Sequence, residues 1–484
     1  MIHKRYISVI CVWAIAVSEV MAADLGLEPS VQTRSDFDAP DAANATITLT
    51  EETKSQSIQS NETQVVFDWQ TVLKEIPPYV YSMNSPAMLF EERVSRPDWA
   101  PLMKYLQPRL LRVHSSAQIQ KSWMRTGEET WDYDKIKGSL LAAKLPPETE
   151  LLINIYRWPN SFDADEDGRL DLDRIDDFAD LCADLVRYVN IELGLNVKYW
   201  EITNERDFAY WRIPKKGNQP DPVALAELYN RAAVAMRAVD DSIILGGPAA
   251  CSPVPIEPLL EFARHANENL DFISFHSYAS GDNSETDTVI YDKVSVMASD
   301  ANELIQRLRE ALGREDFGVH LNEYNINYNW RSEEPRMLTH KGAVFDALLL
   351  VALVETPGLT AANAWNDTER VYGKSDGKGN LRPAAHVFHY MNEYFQGNRV
   401  ASESSQPHAV VPFAVASANG KLSFALINRS GVGQNVSLQS MTELDAAWYS
   451  ARIDETGLHH TGPVFPFRDE IKMSADSVFF FWQD

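Results

Sequence analysis

Short apolar runs rich in β-branched and aromatic residues recur at 79–83, 110–114, 151–156, 197–203, 243–245, 272–275, 318–321 and 359–364. Between them lie amphipathic stretches, clearest at 175–193, 222–239, 301–312 and 341–354, where apolar residues return at helical spacing. Strand alternating with helix predicts a parallel sheet, because parallel neighbours need a crossover that a helix supplies. Eight such units predict a (β/α)8 TIM barrel over 70–395.

After Trp365 the pattern changes. A helical stretch at 384–395 is followed by runs at 409–415, 422–428, 435–438, 446–453 and 478–482, most of them bounded by Gly, Pro, Asn or Asp. With no helices between them, these runs predict a C-terminal antiparallel β-sandwich over 396–484. The run 65–69 is a candidate further strand of the same sandwich.

The N-terminus reads differently. His3, Lys4 and Arg5 precede an apolar run at 7–17 and small residues near Ala22 and Ala23, the layout of a secretory signal over 1–23. The run is about half the length that crosses a bilayer, and no other segment is long and apolar enough to span one. Residues 24–64 are polar and acidic, and read as a flexible leader. A secreted or periplasmic protein is expected. Cys182 falls in a helical pattern and Cys251 after a strand, so both read as buried thiols.

A composition 45% hydrophobic supplies a sizeable core, and a net charge of −25 disfavours binding to nucleic acid or anionic membranes. The charge is uneven. Residues 23–66 hold eight acidic and two basic side chains and residues 161–180 hold nine and two, which is about half of the net total. The remainder is ordinary, so the total does not exclude an acidic substrate.

Barrel enzymes carry their chemistry at the C-terminal ends of the strands. Two carboxylates stand there: Glu205 after the fourth run and Glu323 after the seventh, each preceded by Asn. Trp200, Tyr210 and Trp211 lie near one, Tyr324, Tyr328 and Trp330 near the other. A lone strand-end Glu more often caps a helix or pairs with Arg. Two of them suit glycosidic cleavage, in which one carboxyl protonates the departing oxygen and the other meets the charge developing at the sugar carbon.

The chain resembles the clan A glycoside hydrolases, and most closely family 39, which holds β-xylosidases and α-L-iduronidases. The resemblance rests on Arg112-Val113-His114, Glu201-Ile202-Thr203-Asn204-Glu205, Gly246-Gly247-Pro248-Ala249, Phe272 to Tyr278 and Leu321-Asn322-Glu323-Tyr324-Asn325, in that order, with 382–388 resembling the helix that leads out of the barrel. It implies retention of anomeric configuration on a β-linked glycoside, β-xylosidase-like or related, from plant, algal or bacterial glycans. Glu205 would be acid and then base, with its pKa raised by the neighbouring charge of Glu323, the nucleophile. Asn204 would meet the sugar 2-hydroxyl, Arg112 would keep Glu323 ionised and Tyr278 would hold it in line. His114 and His276 would bind sugar hydroxyls, and Trp365 would form an apolar floor. Two segments depart from the family pattern: Arg206-Asp207-Phe208 stands where Pro is common, and Ile155-Tyr156-Arg157-Trp158-Pro159 is not a close match. The leaving-group side is therefore altered. A carbohydrate-binding protein on an inactive barrel and a transglycosylase are the competing readings.

One further motif stands apart. Asp163, Asp165, Asp167, Arg169 (through its carbonyl) and Asp171 follow the alternate spacing of a calcium loop, with Gly168 at the sharp turn. Position twelve is Arg174 where a bidentate acid is usual, with Asp173 and Asp176 as substitutes; the alternative is a solvated acidic loop leading into a helix. A structural Ca2+ is the one ion expected, with no cofactor for catalysis. The partner is an oligo- or polysaccharide, and the oligomeric state stays open.

Overall fold

The computed structural model describes residues 61–483 apart from 126, 330–332, 369–370 and 445. The signal segment, nearly all of the leader and Trp330 lie outside the described residues. Strand β1 (Glu62–Glu75) opens the described chain, so the last three residues of the segment read as leader already belong to a strand.

The eight alternating runs form a closed barrel of β2 (Tyr79–Asn84), β3 (Leu110–Val113), β4 (Glu150–Ile155), β5 (Tyr199–Ile202), β6 (Ile244–Ala250), β7 (Phe272–Ser280), β8 (Gly318–Asn327) and β9 (Ala361–Ala364). β9 closes onto β2 through parallel pairing, Tyr79 opposite Ala361 and Met83 opposite Ala364. Each crossover carries a helix. Pro222–Val239 is capped by the Asp221 carboxylate on the Ala224 amide, and Asp287–Leu312 by the Thr286 hydroxyl on the Val289 amide, with left-handed Gly313 ending it. The helix His340–Glu355 is apolar almost all round because it lies between the barrel and a second sheet.

That second sheet has nine strands. Along it run β15 (Gly457–Val464), β14 (Trp448–Asp454), β17 (Ser477–Trp482), β12 (Leu422–Asn428), β11 (Val410–Ala416), β10 (Asn398–Ser404), β1, β13 (Gln434–Ser440) and β16 (Ile471–Met473). All of its pairings are antiparallel except β1 with β13. The sheet folds over itself as a sandwich: Phe67 of β1 packs on Phe424 of β12 at 4.8 Å between ring centroids, and Trp69 on Trp448 at 6.1 Å. Its other face covers the last barrel helix, Pro383–Tyr394, where Tyr390 stacks on Phe480 at 5.0 Å and Tyr394 on Trp482 at 4.6 Å. Burial on both faces explains why β12 and β17 read as continuous apolar runs without alternation.

The barrel interior is layered. Leu110, Leu152, Phe272 and Ala361 make an apolar plug at the N-terminal end. Above it the filling turns polar, with Asn84, Arg112, Asn154, Glu201, Asn322 and Asn363 all fully buried. That polar layer lies beneath the candidate site. Cys182 and Cys251 are buried free thiols. Among the described residues no helix is long and apolar enough to cross a membrane.

Candidate active site

Arg112, on β3, is the hub. Its Nε donates to Glu201 Oε2 at 2.7 Å, Nη1 to Asn84 Oδ1 at 2.9 Å and to Glu323 Oε1 at 3.0 Å, and Nη2 to Asn204 Oδ1 at 2.7 Å. One buried guanidinium thus fixes residues from β2, β5 and β8 with its planar fork of donors. Glu201 is its principal counter-charge. Burial alone would raise the Glu201 carboxyl, but Arg112 and the hydrogen bonds of Ser274 and Asn322 hold it below its ordinary value. Asn154 also donates to Glu201 Oε2, at 2.8 Å.

Glu323 receives Arg112 on Oε1 and the Tyr278 hydroxyl on Oε2 at 3.0 Å. Burial pushes its carboxyl up and the charge of Glu205 adds to this, against the pull of His276 and Arg112. The donors aimed at both oxygens complement the ionised form. Asn154 Nδ2 is spent on Glu201 and on the Thr203 carbonyl, so its Oδ1 accepts from His114 Nδ1 at 2.8 Å. Burial and the Arg112 charge keep His114 neutral, with Nε2 left as an acceptor 3.3 Å from Glu323 Oε1.

Glu205 is held differently. Its backbone lies in the left-handed region at φ 52°, as do Thr203 at 69° and Ala249 at 51°. Such residues cost on the order of 1–3 kcal/mol each and need surroundings that enforce them. Here the Glu205 amide donates to the Ala249 carbonyl at 2.9 Å, and the Thr203 amide to the Ile155 carbonyl at 2.9 Å, which ties together the ends of β4, β5 and β6. Behind the loop, fully buried Asp207 accepts from Arg212 and from the Cys251 amide and thiol. The carboxylate itself receives His276 Nδ1 on Oε1 at 2.9 Å. The same nitrogen is 3.6 Å from Glu323 Oε2, and one oxygen of each carboxylate lies with it inside 4.8 Å.

His276 changes the electrostatics expected from sequence. Burial favours its neutral form, but the charges of Glu323 and Glu205 outweigh that and raise its pKa. Burial would likewise raise Glu205, yet the hydrogen bond and charge of His276 hold its carboxyl below the ordinary value. The negative charge of Glu323 by itself would raise Glu205, as expected from sequence, and the approach of His276 reverses that direction.

All eight residues named for chemistry or sugar binding come to one cleft. Trp365 is half-buried, its ring 5.8 Å from that of His114, and the Tyr156 ring lies 5.9 Å from the same imidazole. Trp200 and Tyr324, read as aromatic surroundings of the site, are instead fully buried in the core. The residues that sequence reasoning missed are Glu201, Asn84, Asn154 and Asn322. Asn322 sits before Glu323 as Asn204 sits before Glu205, but it points inward and donates to Glu201.

The acidic loop is gathered in part. Asp163, Asp165 and Asp171 each bring a carboxylate oxygen within 4.8 Å of the others, and Asp163 Oδ1 is buried with no hydrogen-bond partner. Burial first, and then the charges of Asp167 and Asp165, raise the Asp163 carboxyl. Asp167 turns to Asn218 and to the Arg169 amide, so it stands outside that cluster. The Arg169 side chain reaches away, to the carbonyls of Ala209, Tyr210 and Gln219. Arg174 pairs with Glu129 and Asp177, and Asp176 with Arg231, so neither Arg174 nor Asp176 completes the loop.

Comparison with known proteins agrees with this architecture. The family model Glycosyl hydrolases family 39 matches residues 174–387, from the helix before β5 to the helix after β9. A family 39 β-xylosidase from Caulobacter crescentus superposes at a TM-score of 0.63 with 15% identity, covering 87% of this chain and 99% of that one. A family 51 α-L-arabinofuranosidase from Bifidobacterium longum gives 0.65 with 14% identity over 87% and 99%. Another from Thermotoga petrophila gives 0.63 with 17% identity over 87% and 100%. At these identities the structural likeness is one of fold. Together with the family match, it makes the chain similar to clan A glycoside hydrolases, most closely family 39.

Proposed function

From a glycoside hydrolase family 39 domain whose cleft holds these two carboxylates, we propose a retaining glycosidase that cleaves a β-linked glycoside by double displacement. The observation that carries the reading is the convergence of Glu205 and Glu323 on His276, with an oxygen of each inside 4.8 Å. Retention calls for carboxyls roughly 5–5.5 Å apart, and inversion for about 6.5–9.5 Å, which leaves room for a water. Glu323 attacks the anomeric carbon while Glu205 protonates the departing oxygen. Glu205 then takes a proton from the water that hydrolyses the glycosyl-enzyme. Because Asn204 Oδ1 is committed to Arg112, its Nδ2 is the atom left to donate to the sugar 2-hydroxyl. Neutral His114 accepts a hydroxyl on Nε2, and Trp365 supplies the apolar floor.

Proton NMR of the first-formed sugar, on a panel of β-glycosides and α-L-arabinofuranosides, is the test. Retained configuration is expected; inversion, or no cleavage of any member, overturns the proposal. Transglycosylation appears in the same spectra as longer products. A structural calcium at Asp163, Asp165 and Asp171 remains part of the proposal, as does export, which N-terminal sequencing of the mature protein checks.

A further inference from the structure

Two guanidiniums stand beside the reacting groups, Arg206 acting by its charge on neighbouring Glu205 and Arg157 on Asp163, and neither is held in an ion pair among the described residues. Arg157 lies 5.7 Å from the centre of the Tyr156 ring and Arg206 lies 5.5 Å from it, and all three side chains are half-buried. Tyr156 is the ring beside His114, and Arg206 is the next residue after Glu205, so the pair flanks the reacting groups. Among the described residues the hydrogen bonds of both guanidiniums go to neutral groups. Arg206 Nε donates to the Asn204 carbonyl at 3.1 Å and Arg157 Nη2 to Asn160 Oδ1. Arg157 Nε is buried and has no partner.

A chain with a net charge of −25 has many acids available to neutralise two arginines, yet the one whose charge reaches Arg157 is Asp163 in the neighbouring loop. Burial, together with the like charge of Arg206, disfavours the charged form of Arg157. Cation–π contact with Tyr156 offsets part of this, by about 0.5–2 kcal/mol per pair. Paired forks with open donors match the planar oxygens of a carboxylate or the face of a sulfate.

We propose that Arg157 and Arg206 form a recognition site for an anionic group, a carboxylate or a sulfate ester, carried by the sugar chain at the scissile bond. This rests on the glycosidase reading and names its substrate class: a glycan with uronate or sulfated units. Tyr156 supplies the ring against which both guanidiniums lie. The acidic loop 163–173 lies beside the pair and repels an anion that is not seated on both guanidiniums, so discrimination follows position as well as charge.

Calorimetric titration tests this with the turnover-blocked Glu323→Gln protein and matched probes. One pair is a xylo-oligosaccharide with and without a glucuronate substituent; the other is a galacto-oligosaccharide with and without a sulfate ester. The anionic member of at least one pair is expected to bind ten-fold or more tightly than its neutral partner, and which pair responds identifies the anion. Adding Arg157→Gln or Arg206→Gln should cut that preference at least five-fold, with melting temperature reporting folding separately. No preference in either pair, or a preference unchanged in both variants, overturns the proposal. A preference that holds while the native protein hydrolyses none of the probes would instead fault the hydrolase reading alone.

Discussion

Glu205 follows the end of β5 and Glu323 lies within β8, each after an Asn, yet their surroundings differ. Glu323 stands over a fully buried polar layer, with Arg112 and Tyr278 each on one of its oxygens and Arg112 itself braced by Glu201, Asn84 and Asn204. Glu205 rests on left-handed backbone with one direct partner, His276, and its side chain is 28% exposed against 8% for Glu323. A nucleophile gains from being fixed and ionised before substrate arrives, because its charge and direction must be ready for the transition state. An acid that later serves as base must change protonation twice in each cycle, and a single histidine contact open to the cleft suits that.

Removing either carboxylate should break this contrast most severely. Glu323→Ala is expected to lower kcat by about 10⁴-fold or more on every substrate, since no covalent intermediate can form. Glu205→Ala should cost about 10²–10⁴-fold on natural glycans and far less on aryl glycosides with good leaving groups, which need little protonation. Azide should rescue both and separate them: it replaces the base in Glu205→Ala to give a product of retained configuration, and the nucleophile in Glu323→Ala to give an inverted one. If the two variants lose activity equally on all leaving groups, the assigned roles are wrong.

The next effect is on stability and falls on the nucleophile side. Glu201→Gln leaves Arg112 with Glu323 as its one remaining carboxylate in the buried layer. Breaking a buried pair typically costs about 3–5 kcal/mol, and the surviving partner puts the expectation near the lower end. Urea denaturation measures it, with kcat falling as well because Arg112 can shift from Glu323. An unchanged midpoint would mean that Glu201 is not the counter-charge the geometry makes it.

The sequence displayed the strand ends but not this layer, and the reason is physical. Glu201 and Asn154 lie inside short strands between apolar neighbours and read as interruptions of a core pattern, while Asn84 ends β2 before Ser85 and Asn322 stands beside Glu323, so each reads as part of a polar strand end. Only the closed barrel shows that they face one another. The barrel itself was legible because strand and helix periods alternate eight times. In the second sheet β10, β15 and β16 escaped notice: β10 carries Asn398, Arg399, Ser402, Glu403 and Ser404, β15 is an edge strand with mostly exposed residues, and β16 has three residues. Charge was misjudged at Glu205 for a related reason, since His276 comes from β7 and its approach depends on barrel closure.

His276→Gln probes the acid side alone. Protonated His276 favours the ionised form of Glu205, so removing it raises the Glu205 pKa. The acid form then survives to higher pH, and the alkaline limb of the kcat profile should move upward while the fold stays intact. A limb that stays in place, or moves down, would show that His276 does not set the protonation of Glu205.

The smallest expected effect concerns the calcium proposal, and it too should divide the site in two. The loop holding Asp163, Asp165 and Asp171 touches the turn after Glu205: Arg169 donates to the Ala209 and Tyr210 carbonyls, and the Leu170 amide to the Tyr210 hydroxyl at 3.1 Å. None of these contacts reaches β8. A cation that neutralises the three carboxylates would lower their mutual repulsion and stiffen the acid's surroundings without bearing on Glu323. At free calcium ten times its Kd, linkage adds about 1.4 kcal/mol of stability, which shifts Tm by roughly 2–4 °C per kcal/mol in domains of about 150–250 residues and by less in a larger one. Chelator should therefore lower Tm by a few degrees and slow substrates with poor leaving groups more than activated ones, because acid catalysis loses its support while the nucleophile keeps its own. Equal slowing of both substrate classes would place the ion's influence elsewhere, and no change in Tm or rate on chelation would remove calcium from the account of this loop.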